Sequence, residues 1–521
     1  MNNPDCRFRS ARSTAVIAAL VLVLTGCSLP EADDKPIHTL LPQELAEQTR
    51  LGQALQPQQD NNPGLTGIYP LADARDAFAA RALLTTLAEQ TIDVQYYIWR
   101  NDFTSTLLLV TLLEAADRGV RVRLLLDDNG INGLDNTLAA LDRHPNFHVR
   151  LFNPFVVRSP KWLGYLTDFS RVHRRMHNKS FTVDNQMTIV GGRNVGDEYF
   201  GATDGLLFSD LDVIATGPVV HDVSGHFDEF WNSKFSFPAD AILPPSSVDP
   251  HDMLVNKSHT ISTTSAQYYL ANVESVYFLE QLATGSLELT WAPTRMVSDP
   301  PDKIADKVPE KALINRQIQE AIGLPQHSLT LISPYFVPTA EGLEYFQELA
   351  SRGVKVRILT NSLEATDVTP VHSGYARYRK PLLTAGIELF EMRRLGNGEE
   401  QAKESAGPLG SSGSSLHAKT FVVDEKRVFV GSFNFDPRSI NLNTELGFVI
   451  ESRELAVMMN AFLADQLSDN SYQVKLDRND RLYWLEQNPE GNILHDHDPH
   501  TSTGRRALVY LMSLLPIEPL L

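Results

Sequence analysis

Cysteine is almost missing. The 521 residues hold two, Cys6 and Cys27, both within the first thirty positions. No disulfide framework can brace the body of the chain, and no thiolate cluster can hold a metal there. A basic surplus is missing too: Asp and Glu outnumber Lys and Arg 64 to 46, a formal net charge of −18. That argues against a duty on nucleic acid, where Lys/Arg-rich surfaces drive binding, although one local basic mouth stays compatible with it. The apolar run 15–24 falls short of the roughly 20 residues a membrane span requires. A phosphate-cradling nucleotide loop is also lacking. The glycine-rich stretch 407–415, GPLGSSGSS, has no Gly-Lys-Ser/Thr after it and no strand before it, and reads as a flexible loop beside a site. What is present is ordinary globular material, 42% hydrophobic and 21% charged, long enough for two domains with a core each.

Arg7, Arg9 and Arg12 precede the apolar run, and Leu24-Thr25-Gly26-Cys27 follows it. This order resembles a bacterial lipoprotein signal. It implies removal of 1–26, lipidation of Cys27 and, with Ser28 rather than a retention residue beside it, a periplasmic-side position at the outer membrane. Residues 27–65 carry Pro30, Pro36, Pro42, Pro57 and Pro63 and a polar run at 58–62, so a tether is expected, with one short helix near 42–51.

The body of the chain is written twice. His177, Lys179, Asp184, Gly191-Gly192 and Asn194 return in the same order and spacing as His417, Lys419, Asp424, Gly431-Ser432 and Asn434. One H-x-K-x4-D is weak evidence; two with matching flanks are not chance. The repeat extends beyond the motif. Ala116-x-Arg118-Gly119-Val120-x-Val122-Arg123 matches Ala350-x-Arg352-Gly353-Val354-x-Val356-Arg357. A helix is expected over 71–89, a strand over 92–98 from its alternation, a helix over 104–118 closed by Gly119, and a strand over 120–126. The same grammar recurs as strand 328–333, helix 339–352 and strand 354–359. The expected fold class is α/β, with two tandem α/β/α sandwich domains of mixed sheets related by a pseudo-two-fold axis. Domain boundaries are placed at 66–236 and 301–465, with a connector at 237–300 and an extension at 466–521 that ends in an apolar tail behind Arg505 and Arg506.

In H-x-K the two side chains lie on one face of an extended chain, so each copy offers an imidazole beside an ammonium. Displacement at a phosphodiester needs a nucleophile on one side of phosphorus, an acid on the leaving oxygen, and positive charge on the non-bridging oxygens. Neither copy has the whole set, which places the site at the interface of the domains. There one neutral histidine attacks to form a phosphohistidine and the other protonates the leaving alcohol. A carboxylate on each far ring nitrogen would set the tautomer; Asp212 is assigned to His177 and Glu445 to His417. Asp184 and Asp424 enter the catalytic set, although tying a turn together suits them equally. Ser432, Asn194 and Asn434 are candidate substrate contacts. Lys and Asn carry the charge, so the chemistry is expected to need no metal and no cofactor. Arg171, His173, Arg174 and Arg175 either attract an anionic headgroup or form a solvated turn. His495-Asp496-His497-Asp498-Pro499-His500 reads as a solvated loop in spite of its metal-like composition.

The duplicated H-x-K-x4-D with G-G/S-x-N resembles the phospholipase D superfamily over roughly 67–452. The flanks RVHRRMHNKSFTVDNQ, GGRNVGDEYF, QYYIW and GVRVRLLLDD resemble bacterial cardiolipin synthases. The resemblance implies a phosphatidyl-histidine intermediate and transfer of the phosphatidyl group to a hydroxyl of phosphatidylglycerol. His177, Lys179, Asn194, His417, Lys419 and Asn434 carry over position by position. The implied partners are phospholipids and the membrane, reached through Cys27 and the C-terminal tail, with no nucleic acid and no obligatory oligomer. Resolution of the intermediate by water would make a hydrolase that releases phosphatidic acid. A nucleic-acid phosphodiesterase and a non-catalytic scaffold are the remaining readings.

Overall fold

In a computed structural model of the chain, the described residues are 29–30, 38–202, 209–261, 280–281, 284, 286–394, 416–488 and 491–521. Cys6, Cys27 and the stretch 407–415 lie outside them. The first half contributes strands β1 (Thr66–Leu71), β2 (Thr91–Ile98), β3 (Arg121–Gly130), β4 (Phe147–Phe152), β5 (Ser180–Val183), β6 (Met187–Gly191), β7 (Asp212–Thr216), β8 (Ser236–Pro238) and β9 (Thr290–Ala292). They form one sheet in the order β8-β4-β3-β2-β5-β6-β7-β1-β9. The second half supplies β10 (Thr294–Ser298), β11 (Ser328–Ile332), β12 (Lys355–Asn361), β13 (Glu388–Met392), β14 (Thr420–Val423), β15 (Arg427–Gly431), β16 (Leu446–Glu451), β17 (Ser471–Leu476), β18 (Leu482–Glu486) and β19 (Ile493–His495). Their order is β10-β16-β15-β14-β11-β12-β13-β17-β18-β19.

The six central strands of each sheet are arranged identically. β4-β3-β2 and β13-β12-β11 run parallel, joined through helices, while β5, β6 and β7, like β14, β15 and β16, run antiparallel. Local chemistry explains the elements. Helix Phe103–Asp117 opens where Asp102 accepts from the Ser105 N–H, and it closes before Gly119, which sits at φ +96°. Its counterpart Thr339–Ser351 closes before Gly353 at φ +82°. This is the left-handed region that glycine enters without a Cβ penalty. The helix expected from Leu71 begins at Ala74, because Leu71 pairs within the sheet and Asp73 caps the N–H groups of Arg75 and Asp76.

Two boundaries need correction. The expected tether holds two helices, Gln43–Glu47 and Arg50–Asn61, and Leu51 and Leu55 of the second are buried in the first domain's core. The expected connector is also built into the fold. β8 and β9 are strands of the first sheet and helix Pro250–Ile261 buries Leu254, so the chain crosses from one sheet to the other at Pro293, between β9 and β10. The extension adds β17, β18 and β19 to the second sheet and then helix Thr503–Ser513.

Each sheet packs helices on its outer face. The inner faces meet in a shared core of Ile68, Val190 and Val213 from one half and Ile332, Val422 and Phe448 from the other, with helices Pro218–Asn232 and Arg453–Asp469. Fully burying each such side chain contributes roughly 1.5–3 kcal/mol, so the two domains are one packed unit.

Candidate active site

The two motifs lie in extended chain immediately before β5 and β14, where the halves touch. The His177 N–H donates to the Thr444 carbonyl at 2.9 Å, and the His417 N–H donates to the Ser209 carbonyl at 2.9 Å. Met176 bridges to Thr444 and Leu416 to Ser209, so each motif is stitched to the opposite domain. The next residue after each accepting carbonyl is an acid: Glu445 after Thr444, Asp210 after Ser209.

The imidazole–carboxylate pairs therefore form across the seam. His177 Nδ1 lies 2.8 Å from Glu445 Oε2, and His417 Nδ1 lies 2.6 Å from Asp210 Oδ2. The expected pairing of Glu445 with His417 is wrong, and so is that of Asp212 with His177. Asp212 pairs with Arg81 at 2.8 Å and accepts from the Arg193 N–H at 3.2 Å, all three buried. Strand register gives the reason. Gly191 faces Asp212 in the first sheet as Gly431 faces Gly447 in the second, so Glu445 corresponds to Asp210, two residues before. The Gly192/Ser432 difference follows. A Cβ on Gly192 would come within 2.3 Å of Asp210 Oδ1, whereas the Ser432 hydroxyl donates to the longer Glu445, which also accepts from Ser439 at 2.8 Å.

The carboxylates engage Nδ1 of each histidine, so Nε2 is the ring nitrogen that serves a substrate; Lys419 Nζ lies 3.4 Å from His417 Nε2. Burial, then the Lys179 and Lys419 charges, hold His177 well below its ordinary pKa. Burial and Lys419 push His417 down to about 3, against Asp210. Burial works to raise Asp210, but the contact with His417 and the charges of Lys419 and Arg193 prevail and hold it at about 2. Burial carries Glu445 up to about 7, opposed first by Lys179.

The lysines complete the pocket. Lys179 Nζ donates to the His177 carbonyl at 2.7 Å, and Lys419 Nζ donates to the His417 carbonyl at 2.5 Å. Both are buried, and burial lowers both, Lys179 to about 7. Asn434 is buried with its Oδ1 unpartnered among the described residues. Asn194 is already engaged: it accepts from the Ile98 N–H at 3.2 Å and donates to the Tyr199 hydroxyl at 3.0 Å. Tyr199 sets its ring edge-on to His417 at 5.2 Å, and Tyr97 does so to His177 at 5.1 Å.

Asp184 and Asp424 are not at this site. Each stands at the far end of its motif strand, seven residues from its histidine, roughly 23 Å along an extended chain. Asp184 accepts the N–H groups of Glu89, Gln90 and Thr91 at 2.8–2.9 Å, and Asp424 those of Gln326, His327 and Ser328 at 2.7–3.1 Å. They anchor the starts of β2 and β11, and their placement among catalytic residues is corrected to a structural one. The basic run before the first motif is likewise spoken for: Arg175 pairs with buried Asp127 at 3.0 Å, Arg171 with Asp168 at 2.6 Å, and Arg174 with Asp306 at 3.5 Å. His495–His500 is not merely a solvated loop either, since Asp498 pairs with buried Arg379 at 2.7 Å. The only group of three metal-ligating side chains among the described residues, Glu486, His495 and His500, lies there and not at the motifs. Asp210, Tyr97 and Tyr199 escaped the sequence reading. The Asp210 signal was present in the match of Ser209-Asp210-Leu211 to Thr444-Glu445-Leu446.

Two copies of one α/β domain that pool a histidine and a lysine each across their seam define the phospholipase D-like class. The family model described as "Cardiolipin synthase, PLD-like domain" matches residues 84–231 and 317–465, and the chain belongs to that family. It is 47% identical over 472 residues to cardiolipin synthase C of Escherichia coli (strain K12), a match covering 91% of this chain and 100% of that one. It is 32% identical over 461 residues to an uncharacterized protein of Helicobacter pylori, covering 87% and 89%. Among solved structures, the phosphatidylserine synthase of Haemophilus influenzae superposes with a TM-score of 0.53 at 14% identity, covering 81% of this chain and 92% of that one. At that identity the likeness shows the fold alone.

Proposed function

We propose that the chain is a phosphatidyltransferase that makes cardiolipin from phosphatidylglycerol and a second phospholipid. The observation that carries this reading is the pair of imidazole–carboxylate couples built across the domain seam at 2.8 and 2.6 Å. The 47% identity to a cardiolipin synthase C supports the substrate class. Nε2 of one histidine attacks phosphorus; the bond to the headgroup oxygen breaks, and the other histidine, which enters the step protonated on both ring nitrogens with its charge balanced by its carboxylate and the bound phosphodiester, gives that oxygen its Nε2 proton. The second histidine then takes the proton of a phosphatidylglycerol hydroxyl as that oxygen displaces the phosphohistidine. Lys179 and Lys419 hold the non-bridging oxygens, with the Asn434 amide beside them. Glu445 and Asp210 keep Nδ1 protonated and Nε2 directed at the substrate.

The chain meets its substrate at a bilayer surface in this reading. Removal of 1–26 and lipidation of Cys27 anchor it on the periplasmic side of the outer membrane. Helix Thr503–Ser513 and its continuation leave Tyr510, Leu511, Leu514 and Leu515 exposed, and Trp162, Leu166 and Phe169 are exposed near the motif of the first domain. Phe169 stacks on His173, whose carbonyl accepts from Arg438, and the Arg438 N–H donates to Leu521 at the chain's end. The two apolar patches are thus linked through Arg438, and an interfacial contact suits both. No helix among the described residues is long and apolar enough to cross a membrane.

The test incubates purified protein with vesicles of phosphatidylglycerol and phosphatidylethanolamine in EDTA and resolves the products by mass spectrometry. Cardiolipin with released glycerol or ethanolamine is the expected result and identifies the donor. Phosphatidic acid alone would make the protein a hydrolase. His177→Ala and His417→Ala should each abolish turnover in a folded protein; a variant that kept most of its activity would overturn the two-histidine mechanism.

A further inference from the structure

Away from the seam, the extension brings together three side chains that the proposed chemistry does not use. Glu486 ends β18 and is buried, His495 ends β19 and is one-fifth exposed, and His500 lies in the exposed turn before helix Thr503–Ser513. Their donor atoms all lie within 4.8 Å of one another, and Glu486 Oε2 is 2.9 Å from His495 Nε2. One of the three is held by a group that is not itself a donor to the cluster. Arg393 pairs with Glu486 Oε1 at 3.0 Å, which leaves Oε2 for the cluster. The Tyr472 ring sits edge-on to His495 at 5.8 Å, and the His500 ring lies 5.7 Å from that of His495. An outer group that fixes a ligand carboxylate, as Arg393 fixes Glu486, is a feature of built metal sites.

We propose that Glu486, His495 and His500 form a binding site for one divalent transition metal of the zinc class. Two imidazole nitrogens and one carboxylate oxygen match the preference of zinc and its neighbours, whereas calcium and magnesium take sets of oxygen donors. The hydrogen bond between His495 and Glu486 gives way on binding: the proton moves to His495 Nδ1, Nε2 and Oε2 both face the metal, and His500 closes by about 1–2 Å, a side-chain rotation. Water fills the fourth position. The ion ties the β18–β19 hairpin to the start of the last helix, and so ties the apolar tail to the second domain. The role is structural and leaves the histidine chemistry at the seam alone.

The full chain, stripped with EDTA and dialysed, is titrated with zinc chloride by calorimetry. Cobalt(II) in a parallel sample reports coordination by its visible absorption. The expected result is one equivalent bound at micromolar affinity or tighter and a raised melting temperature at saturating zinc. His495→Ala and His500→Ala each weaken binding at least the roughly 10–100-fold that even outer-shell changes cost. His500 is exposed, so that variant folds, and its transfer activity stays at the wild-type level. His497→Ala, at the neighbouring exposed histidine, leaves binding unchanged. Failure of the wild-type chain to take up zinc overturns the proposal. So does uptake that survives His500→Ala, or uptake that His497→Ala removes.

Discussion

Asp210 and Asp212 are two residues apart in one strand-like run, and the structure gives them opposite jobs. Asp210 holds His417 Nδ1 at 2.6 Å, and Asp212 neutralises Arg81 at 2.8 Å. Asp210→Asn keeps the shape and removes the charge. A buried hydrogen bond to a charged group contributes about 1.5–3 kcal/mol, and one decade of rate corresponds to about 1.4 kcal/mol. Part of what Asp210 supplies exists only when His417 carries positive charge in the transition state, so kcat should fall by roughly 100-fold with KM little changed. The unfolding midpoint near neutrality should fall only by the share that the depressed Asp210 carboxyl contributes there, because an asparagine still fills the position that Gly192 leaves open. Asp212→Asn should do the reverse. It strips a fully buried arginine of its counter-charge, a change of about 3–5 kcal/mol, so the urea midpoint drops while the rate per folded molecule stays near wild type. Initial rates in the vesicle assay, normalised to the folded fraction by circular dichroism, separate the two. A folded Asp212→Asn enzyme that has lost its rate, beside an active Asp210→Asn enzyme, would refute the cross-domain pairing.

Asp184→Ala should cost stability and not chemistry: it orphans three N–H groups at the start of β2, at about 1–3 kcal/mol for each that is buried. Asp424→Ala, at a more exposed turn, should cost less; urea melts and rates per folded molecule check both. Glu445 holds its proton more tightly in the folded chain, with a pKa of about 7 against an ordinary 4.5. Its contribution is fully present below about pH 4.5 and lost as pH rises through about 7. Glu445→Gln should flatten that fall in urea midpoints measured between these limits, leaving the share of Asp299 and Asp436, which burial raises to about 6 and about 7. Asp210 has the opposite sign: its contribution is present above about 3.8 and lost as pH falls toward about 2, so Asp210→Asn should remove part of the acid-induced loss of stability. Leu511→Glu with Leu514→Glu should weaken vesicle sedimentation severalfold while the melting temperature holds, because both side chains are exposed; unchanged sedimentation would remove the tail from the membrane contact.

Legible in the order of residues alone are the duplication, the strand–helix–strand grammar of each half, and the four groups His177, Lys179, His417 and Lys419. All of these are local: periodicities of two and 3.6, a glycine where the chain must turn left-handed, and i to i+2 geometry in extended chain put them in the order of the letters. The meeting of two incomplete halves at one site followed from chemistry alone. Partnership across the seam was decided only by tertiary structure. Which acid faces which histidine depends on how β6 pairs with β7 and β15 with β16, and a register is a relation between segments that no single segment contains. The two-fold then crosses the pairs, so that Glu445, 28 residues after His417, serves His177 instead. Asp184 and Asp424 look catalytic because they ride in the motif, yet a strand's length carries them away from the histidines, and the backbone N–H groups they cap belong to distant residues 89–91 and 326–328. The burial of Leu51 and Leu55 was hidden for the same reason: a proline-bearing polar stretch shows its hydrophobic partners only once the opposing core exists to receive them.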